Sequence, residues 1–366
     1  MTMKKWIILC VAFCIGCSNQ KTNIPKQFDQ NGVFKDFYEE AYQTLKSMSL
    51  EEKIGQLLLV RLPKDASPII KEKQFGGIVL FGKDFENKTK EQVKTELNSY
   101  QEVSKIPLLI ATDEEGGSVV RISKNSNLYP YKFESPREIY EKSGMNGILL
   151  DTNEKIKLLK ELGLNVNLSP VVDLASNPSA FIYKRSFSGS AKETSNYVKQ
   201  VVTSYQKSHI GSVLKHFPGY GENEDTHVGT AIDKRSYKQF ETNDFLPFEA
   251  GIKTGAPSIL VSHNIVEAMD KNNPVSLSKK VHQILREDLE FHGVIMTDDL
   301  AMGAIAAIQE STVKAFQAGN DLLMVTDYET AYRELYNAFK KQELTLDDLN
   351  QSVLRILAWK KQLLLF

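Results

Sequence analysis

Residues 215–230, KHFPGYGENEDTHVGT, concentrate side chains that can carry charge or transfer protons. The run contains two histidines, a lysine and three acidic residues, and it shows neither helical nor strand periodicity. Burial in a core therefore does not explain where these charges lie. A solvated loop is the simplest explanation of such a run, and a ligand-binding or reactive segment is the alternative.

Further ionisable residues stand where short apolar runs end. These residues are Arg61, Asp113, Asp173, Lys215, His216, His263, Asp298 and Asp327. In barrels of parallel strands, the residues at the carboxyl ends of the strands surround the active site. Any one of these residues could simply face solvent, but together they predict a polar ligand at one mouth.

Eight apolar runs have the character of strands, and helical patterns separate them. The runs span residues 54–62, 76–82, 107–113, 164–173, 211–216, 258–263, 293–298 and 321–327. Near-continuous Val, Ile and Leu are typical of strands buried on both faces, and helices between them favour parallel βαβ units. The sequence therefore predicts an α/β fold, a single (β/α)8 TIM barrel over residues 36–366, with extra loop in the crossover 113–164 and a closing helix that begins at Thr345.

The composition is that of an ordinary globular protein. The chain has 366 residues, of which 42% are hydrophobic and 25% charged, and its formal net charge is -1. This balance gives no basic surface for nucleic acid. The charged motifs show neither metal-ligand spacing nor a glycine-rich phosphate loop, so we expect no metal and no cofactor. We expect a monomer.

The amino-terminal segment, MTMKKWIILCVAFCIGCSNQ, has the layout of a secretory signal. Two lysines precede an apolar run of about ten residues, which is too short to span a bilayer. Gly16 before Cys17 resembles the lipobox of bacterial lipoproteins, in which the cysteine becomes the lipidated first residue. We therefore predict a signal peptide over residues 1–16, a lipid anchor at Cys17 and a tether over residues 17–35. An uncleaved anchor or a plain signal peptide is the alternative.

Six motifs in a fixed order resemble glycoside hydrolase family 3, and within it the single-domain β-N-acetylglucosaminidases that recycle peptidoglycan. They are DEEGGSVVRI (113–122), SPVVDL (169–174), KRSFS (184–188), KHFPG (215–219), SHNIV (262–266) and TDDLAMGAI (297–305). The resemblance covers nearly the whole chain after the tether. It implies a retaining glycosidase on a TIM barrel.

The resemblance implies that Asp298 is the nucleophile. A retaining glycosidase needs a carboxylate held rigidly below the anomeric carbon, where it forms a covalent glycosyl-enzyme intermediate, and a strand end supplies that rigidity. Asp299 is expected to point elsewhere, because successive strand residues alternate faces. The alternative is that Asp298 caps a following helix.

The resemblance also implies that His227 is the general acid/base, paired with Asp225. In an extended segment, residues i and i+2 lie on the same side, so the Asp225 carboxylate would hold the Nδ1 proton and leave Nε2 for the glycosidic oxygen. Glycines at 219, 221 and 229 would let this loop move over the substrate.

The same resemblance implies the residues that bind the non-reducing sugar. They are Asp113, Arg121, Arg185, Lys215 and His216, which match residues that bind the hydroxyls and the acetamido group. A carboxylate accepts protons from hydroxyls, and arginine and lysine donate to sugar oxygens. His263 is expected to support the site from behind.

The implied substrate is an oligosaccharide or muropeptide that contains N-acetylglucosamine, and the predicted anchor implies the cell envelope, outside the cytoplasm, with the membrane as a partner. An imidazole acid/base does not repel an incoming anion, so phosphorolysis is expected to compete with hydrolysis. Two alternatives stay open. The protein could be a β-glucosidase of the same family, or a glycan-binding envelope lipoprotein without activity.

Overall fold

The structure is a computed structural model that describes residues 24–221 and 231–366. Eight parallel strands form one sheet, in which each strand pairs with the next along the chain and the first also pairs with the eighth. A bridge between Met296 and Leu322 joins the seventh strand to the eighth and closes the barrel. The strands, numbered first to eighth, are Leu58–Arg61, Gly77–Leu80, Leu109–Thr112, Val166–Asn167, Gly211–Phe217, Ser258–Val261, Val294–Thr297 and Leu323–Val325. The predicted TIM barrel is confirmed.

Helices cover the outside of this barrel. The α-helices are Tyr38–Lys46, Leu50–Gln56, Ala66–Lys73, Gly82–Phe85, Lys90–Val103, Pro136–Leu162, Ala191–Lys207, Tyr237–Gln239, Phe245–Thr254, Lys279–Gln283, Ser311–Ala318, Tyr328–Lys340 and Leu346–Gln362. Gly32–Phe34 and Val275–Leu277 are 3₁₀ turns, and Phe240–Asp244 and Ile284–Asp288 are π-helical turns. Outside the barrel, the short strands Ile232–Asp233 and Ile265–Val266 pair in parallel.

Seven of the eight predicted strands were too long, the first and the fourth most of all. Leu50–Gln56 is a helix, because Ser49 accepts a hydrogen bond from the backbone of Glu52 while the Glu52 side chain accepts one from the backbone of Ser49. The first strand therefore begins at Leu58 rather than at residue 54. In the fourth run only Val166–Asn167 is a strand, with one further bridge between Val171 and Lys215.

The crossover from the third to the fourth strand carries the extra loop that the sequence predicted. Residues 113–135 form an irregular loop, and the helix Pro136–Leu162 follows, with a break at Gly144. Ser135 caps this helix by accepting from the backbone of Glu138. The closing helix Leu346–Gln362 begins after Thr345, which accepts from the backbone of Asp348 as predicted.

The residues before the first helix pack onto the barrel. Phe28 and Phe34 are buried in the main core, and Asp29 lies 3.2 Å from a guanidinium nitrogen of Arg355 in the last helix. Arg355 in turn contacts Asp321, which precedes the eighth strand, so this contact lies at the amino ends of the strands. In the part of the chain that the structure describes, no helix has the length and apolar character needed to cross a membrane.

Candidate active site

A cavity of about 700 Å³ opens at the carboxyl ends of the strands. Its wall combines charged and polar side chains with nearly as many apolar residues. The wall is formed by Arg61, Phe81, Asp113, Ser118, Val119, Arg121, Leu168, Phe181, Lys184, Arg185, Lys215, His216, Leu260, Asp298, Asp299, Ala301, Met302, Gly303, Met324 and Thr326. The structure thus places Asp298 and all five residues expected to bind the sugar around one cavity.

A network of buried charges fixes one side of the cavity. Lys215 Nζ lies 2.7 Å from Asp113 Oδ1 and 2.6 Å from Glu115 Oε1. Arg185 binds the same Glu115 carboxylate with two nitrogens, at 2.9 and 2.8 Å. Because each charge has an opposite charge within hydrogen-bond distance, the side chains keep one geometry without ligand.

The pKa values in this network follow from the opposing charges. Burial alone would raise the pKa of Glu115, but the charges of Arg185 and Lys215 outweigh it and hold the pKa well below its usual range. Burial alone would lower the pKa of Lys215, and the carboxylates of Asp113 and Glu115 raise it instead. Glu115 is thus an anion and Lys215 a cation at neutral pH.

His216 is oriented by Asp173, which lies behind it. The ring Nδ1 is 2.7 Å from Asp173 Oδ2, and the backbone N–H of His216 donates to the same oxygen. Nε2 lies 3.2 Å from a nitrogen of Arg185, which can only donate. The Nδ1 proton therefore points to Asp173. The register shifts between Lys215 and Phe217, so consecutive residues of the fifth strand both reach the cavity.

Asp298 follows the seventh strand and lines the cavity. Its backbone N–H donates to Val261 of the sixth strand, and its Oδ1 accepts from the backbone N–H of Asp299. No helix begins here, because turns occupy residues 300–310 and the next helix starts at Ser311. The alternative in which Asp298 caps a following helix is therefore wrong.

Asp299 also borders the cavity, and the residues that bind its carboxylate border it too, so the expectation that Asp299 points elsewhere is not confirmed. Oδ2 accepts from the hydroxyl of Thr326 and Oδ1 from the backbone N–H of Ala301. His263 Nε2 lies 3.0 Å from the Asp299 carbonyl oxygen, and its Nδ1 lies 2.8 Å from Ser276 Oγ. His263 is thus placed to support the backbone next to Asp298 from behind.

Two arginines lie close to the same aromatic ring in the wall of the cavity. The guanidinium of Arg61 lies 4.4 Å from the centre of the Phe81 ring, and that of Arg121 lies 5.4 Å from it. Arg121 also reaches Asp113, at 3.4 Å. The backbone of Arg121 is held by the buried Glu114 carboxylate. This part of the wall therefore presents fixed positive charge to a ligand.

Three predicted residues lie outside the described residues. Asp225 and His227 fall in residues 222–230, and Cys17 falls in residues 1–23. Of the other strand-end residues, Asp327 does not line the cavity, because it caps the helix Tyr328–Lys340 by accepting from the backbone of Thr330. Among the residues that the structure describes, no group of three or more His, Cys, Asp or Glu is placed to hold a metal ion.

Glu115 was not among the predicted site residues, although it stands in the quoted motif DEEGG. It contacts both Lys215 and Arg185, and so links two predicted binding residues. The available signal was a third carboxylate directly after a strand that ends in Asp113. That signal does not predict which of the three adjacent carboxylates faces into the barrel. The strand has already ended at Thr112, so the alternation of strand side chains no longer applies to these residues.

The structure is a closed eight-stranded barrel, and carboxylates, cations and a half-buried aspartate lie at the carboxyl ends of its strands. This arrangement defines a barrel enzyme that acts on a polar, hydroxyl-rich substrate. Residues 49–359 match the family model described as glycosyl hydrolase family 3 N terminal domain. The chain belongs to this family, and it is a glycoside hydrolase.

Relatives and solved structures agree with this assignment. The chain is 32% identical over 279 residues to a beta-hexosaminidase of Nitrosomonas eutropha, covering 74% of this chain and 79% of the relative. It is 30% identical over 296 residues to a beta-hexosaminidase of Neisseria meningitidis, covering 78% and 81%. A solved family 3 beta-N-acetylglucosaminidase from a Paenibacillus strain superposes with a TM-score of 0.81 at 27% identity, covering 87% of this chain and 63% of the other.

Proposed function

We propose that the protein is a retaining β-N-acetylglucosaminidase that removes N-acetylglucosamine from the non-reducing end of cell-wall fragments. The Asp298 carboxylate attacks the anomeric carbon, the glycosidic bond breaks, and His227 gives its proton to the leaving oxygen. In the second step His227 takes a proton from water, the water oxygen bonds to the anomeric carbon, and the bond to Asp298 breaks.

The observation that carries this proposal is that Asp298 lines the same cavity as a preformed set of sugar-binding groups. Asp113 offers a carboxylate to hydroxyl protons, while Lys215 and Arg185 offer donors to sugar oxygens from neighbouring strands and loops. Since their partners hold these groups in place, the sugar would meet a site that needs little reorganisation. The names of the two bacterial relatives support the amino sugar as substrate.

The test is turnover of an aryl β-N-acetylglucosaminide by the Asp298→Ala variant. Loss of the nucleophile should lower kcat by roughly 10³-fold or more, given what removing such a group costs in other enzymes. Asp327→Asn is the matched control, because Asp327 also follows a barrel strand but caps a helix, which asparagine does as well. Near-normal turnover by the Asp298→Ala variant would contradict the proposal. A wild type without turnover would contradict it as well, and would instead indicate a non-catalytic glycan-binding protein.

The sugar specificity is tested by a second pair of substrates. We expect the wild type to cleave the aryl β-N-acetylglucosaminide with a higher kcat/KM than the aryl β-glucoside, because the acetamido group adds polar contacts in the transition state. A higher kcat/KM for the glucoside would instead identify a β-glucosidase of the same family.

The rim of the cavity favours an acidic aglycone. Arg61 and Lys184 line the cavity in addition to the cations of the sugar site, and Arg61 Nε is buried without a hydrogen-bond partner among the described residues. Arg61 is only half-buried, so its exposed part can pair with an anion in the leaving group, and the carboxylates of muropeptides are such anions.

The aglycone is tested with substrates that differ only in a free carboxylate or its methyl ester. The Arg61→Gln variant should raise KM for the acid several-fold and leave KM for the ester nearly unchanged. Arg333→Gln, which removes an exposed arginine of the helix Tyr328–Lys340, is the control. Equal effects of Arg61→Gln on both substrates would contradict an acidic aglycone.

Phosphate is proposed as a competing acceptor. In that step a phosphate oxygen bonds to the anomeric carbon while the bond to Asp298 breaks, which releases the sugar 1-phosphate. An imidazole at the acceptor side does not repel this anion as a carboxylate would. Product analysis over a phosphate series should show the sugar 1-phosphate, and its absence at high phosphate would remove the idea.

A lipid anchor at Cys17 is the last part of the proposal, and it would hold the enzyme in the cell envelope outside the cytoplasm. The support is the sequence pattern of residues 1–17. Metabolic labelling with a fatty acid should mark the wild type in the membrane fraction and fail to mark Cys17→Ala. Absence of label from both proteins, or equal label on both, would contradict the anchor.

A further inference from the structure

Arg235 lies where the chain returns to the barrel after residue 230. Ile232–Asp233, just before it, pairs in parallel with Ile265–Val266, in the loop that follows the sixth barrel strand. Backbone bonds from Ile265 to Ala231 and from Glu267 to Asp233 complete this pairing. The chain immediately after residues 222–230 is therefore fixed to the rim of the barrel.

The guanidinium of Arg235 joins three separate elements. One nitrogen donates to the carbonyl oxygen of Gly219, at 2.8 Å, in the turn after the fifth strand. Another donates to Asp244 in the π-helical turn, also at 2.8 Å. Asp233 accepts from Nε and from a terminal nitrogen, and the guanidinium carbon lies 4.3 Å from the centre of the Phe240 ring.

The chain just before residues 222–230 packs against the same guanidinium. A Cβ atom placed on Gly221 would lie 2.6 Å from Arg235 Cζ, so the Gly221 backbone is in direct contact with it. A Cβ on Gly219 would lie 2.5 Å from Asp244 Oδ1. Gly219 and Gly221 both have positive φ, at 116° and 58°, which lets the turn approach this closely.

The turn is held from its other side by the sugar site. Asp173 accepts from the backbone N–H of Tyr220, at 2.7 Å, with the carboxylate that also orients His216. The Tyr220 ring packs edge-on against the His216 ring, with 5.3 Å between centres. Residues 216–221 are thus fixed between the cavity and Arg235.

We propose that Arg235 is a positioning residue for the glycosidase reaction, because it binds both flanks of residues 222–230 and so fixes the points from which His227 is presented to the glycosidic oxygen. This inference rests on the proposed role of His227 as general acid. Arg235 acts through the chain that it holds rather than on the substrate, since its described partners are Gly219, Asp233 and Asp244.

The test uses two aryl β-N-acetylglucosaminides, one with a dinitrophenyl leaving group and one with a phenyl leaving group. A dinitrophenolate leaves without a proton, whereas a phenolate needs the general acid, so damage to the acid falls mainly on the phenyl substrate. We expect Arg235→Lys to lower kcat/KM for both substrates unequally. The fold-loss on the phenyl substrate should exceed the fold-loss on the dinitrophenyl substrate by a factor of roughly ten or more. His227→Ala should show the same pattern more strongly.

Controls separate positioning from general loss of structure. Arg286→Lys alters another arginine bound to a buried aspartate, Asp321, at the far end of the barrel, and should affect both substrates alike. Asp233→Asn weakens the hydrogen bonds that Asp233 accepts from Arg235. It should also lower kcat/KM more for the phenyl substrate, but by less than Arg235→Lys does. This variant replaces Arg235→Lys in the test if Arg235→Lys does not fold.

Two results would overturn the inference. In the first, His227→Ala lowers kcat/KM more for the phenyl substrate, but Arg235→Lys and Asp233→Asn lower it equally for both substrates. Arg235 would then only support the fold, and the role of His227 would stand. In the second, His227→Ala itself does not discriminate between the substrates, so the proposed general acid is wrong, and the inference fails with it.

Discussion

At the scale of single residues, Glu115 is the buried anion on which the sugar-binding cations depend. Glu115→Gln keeps the shape of the side chain but removes the negative charge that pairs with Lys215 and Arg185. Because breaking a buried ion pair leaves an uncompensated charge, this variant should lose about 3–5 kcal/mol of unfolding free energy. Urea unfolding at neutral pH measures this. Glu134→Gln, which breaks an exposed pair with Lys142, should cost less than about 1 kcal/mol. Equal costs would contradict the network.

Asp244 gives the protein a defined pH dependence. Burial and the negative charges of Asp173 and Asp233 raise its pKa to about 6, although the ion pair with Arg235 lowers it. A folded pKa above the unfolded one contributes stability that is present below about pH 4 and lost as the pH rises through about 6. As the pH rises from about 4 to 7, the unfolding free energy of the wild type should therefore fall by about 3 kcal/mol relative to that of Asp244→Asn.

Urea unfolding from pH 4 to pH 7 checks this, with Asp347→Asn on an exposed helix turn as the control. A stability difference between Asp244→Asn and the wild type that stays constant over this range would show that Asp244 does not titrate there.

At the scale of elements, the sequence predicted the eight strands because each is an apolar run buried on both faces. It predicted less well where each strand begins, since the capping of Leu50–Gln56 by Ser49 competes with an apolar run that continues through it. The side-chain directions of nearby residues, such as Asp298 and Asp299 or Asp113 and Glu115, were harder still to predict. Their directions are set by turns after the strands, and strand alternation no longer applies there.

The turn after the third strand requires glycine at 116, and this makes a prediction for the element. Gly116 has φ of 105°, and a Cβ there would lie 2.1 Å from the carbonyl oxygen of Glu134. Gly116→Ala should lower the unfolding free energy by about 1–3 kcal/mol, and raise KM because Asp113 and Glu115 belong to the displaced turn. Gly82→Ala, with nothing within 4 Å, is the control in unfolding and kinetic assays. A normal KM for Gly116→Ala would show that the turn absorbs the change.

At the scale of the whole molecule, the cavity and a second network of charges lie at opposite ends of the barrel. The cavity lies at the carboxyl ends of the strands, whereas the charges of Asp29, Arg355, Asp321 and Arg286 link the amino-terminal segment to the other end. The part of the predicted tether that the structure describes, residues 24–35, contributes Phe28 and Phe34 to the core.

This separation predicts that a substitution in the amino-terminal segment can lower stability without changing catalysis. Phe34 is fully buried and packs edge-on against Tyr38, so Phe34→Ala should lower the unfolding free energy by about 3–5 kcal/mol, as measured in urea. Phe366→Ala, which truncates a ring that is 40% exposed, should change it by less than about 1 kcal/mol. At a temperature where Phe34→Ala stays folded, its kcat/KM should equal that of the wild type, because its side chain contributes to the core and not to the cavity wall. A lowered kcat/KM in the folded variant would mean that the amino-terminal segment is coupled to the active site through the barrel.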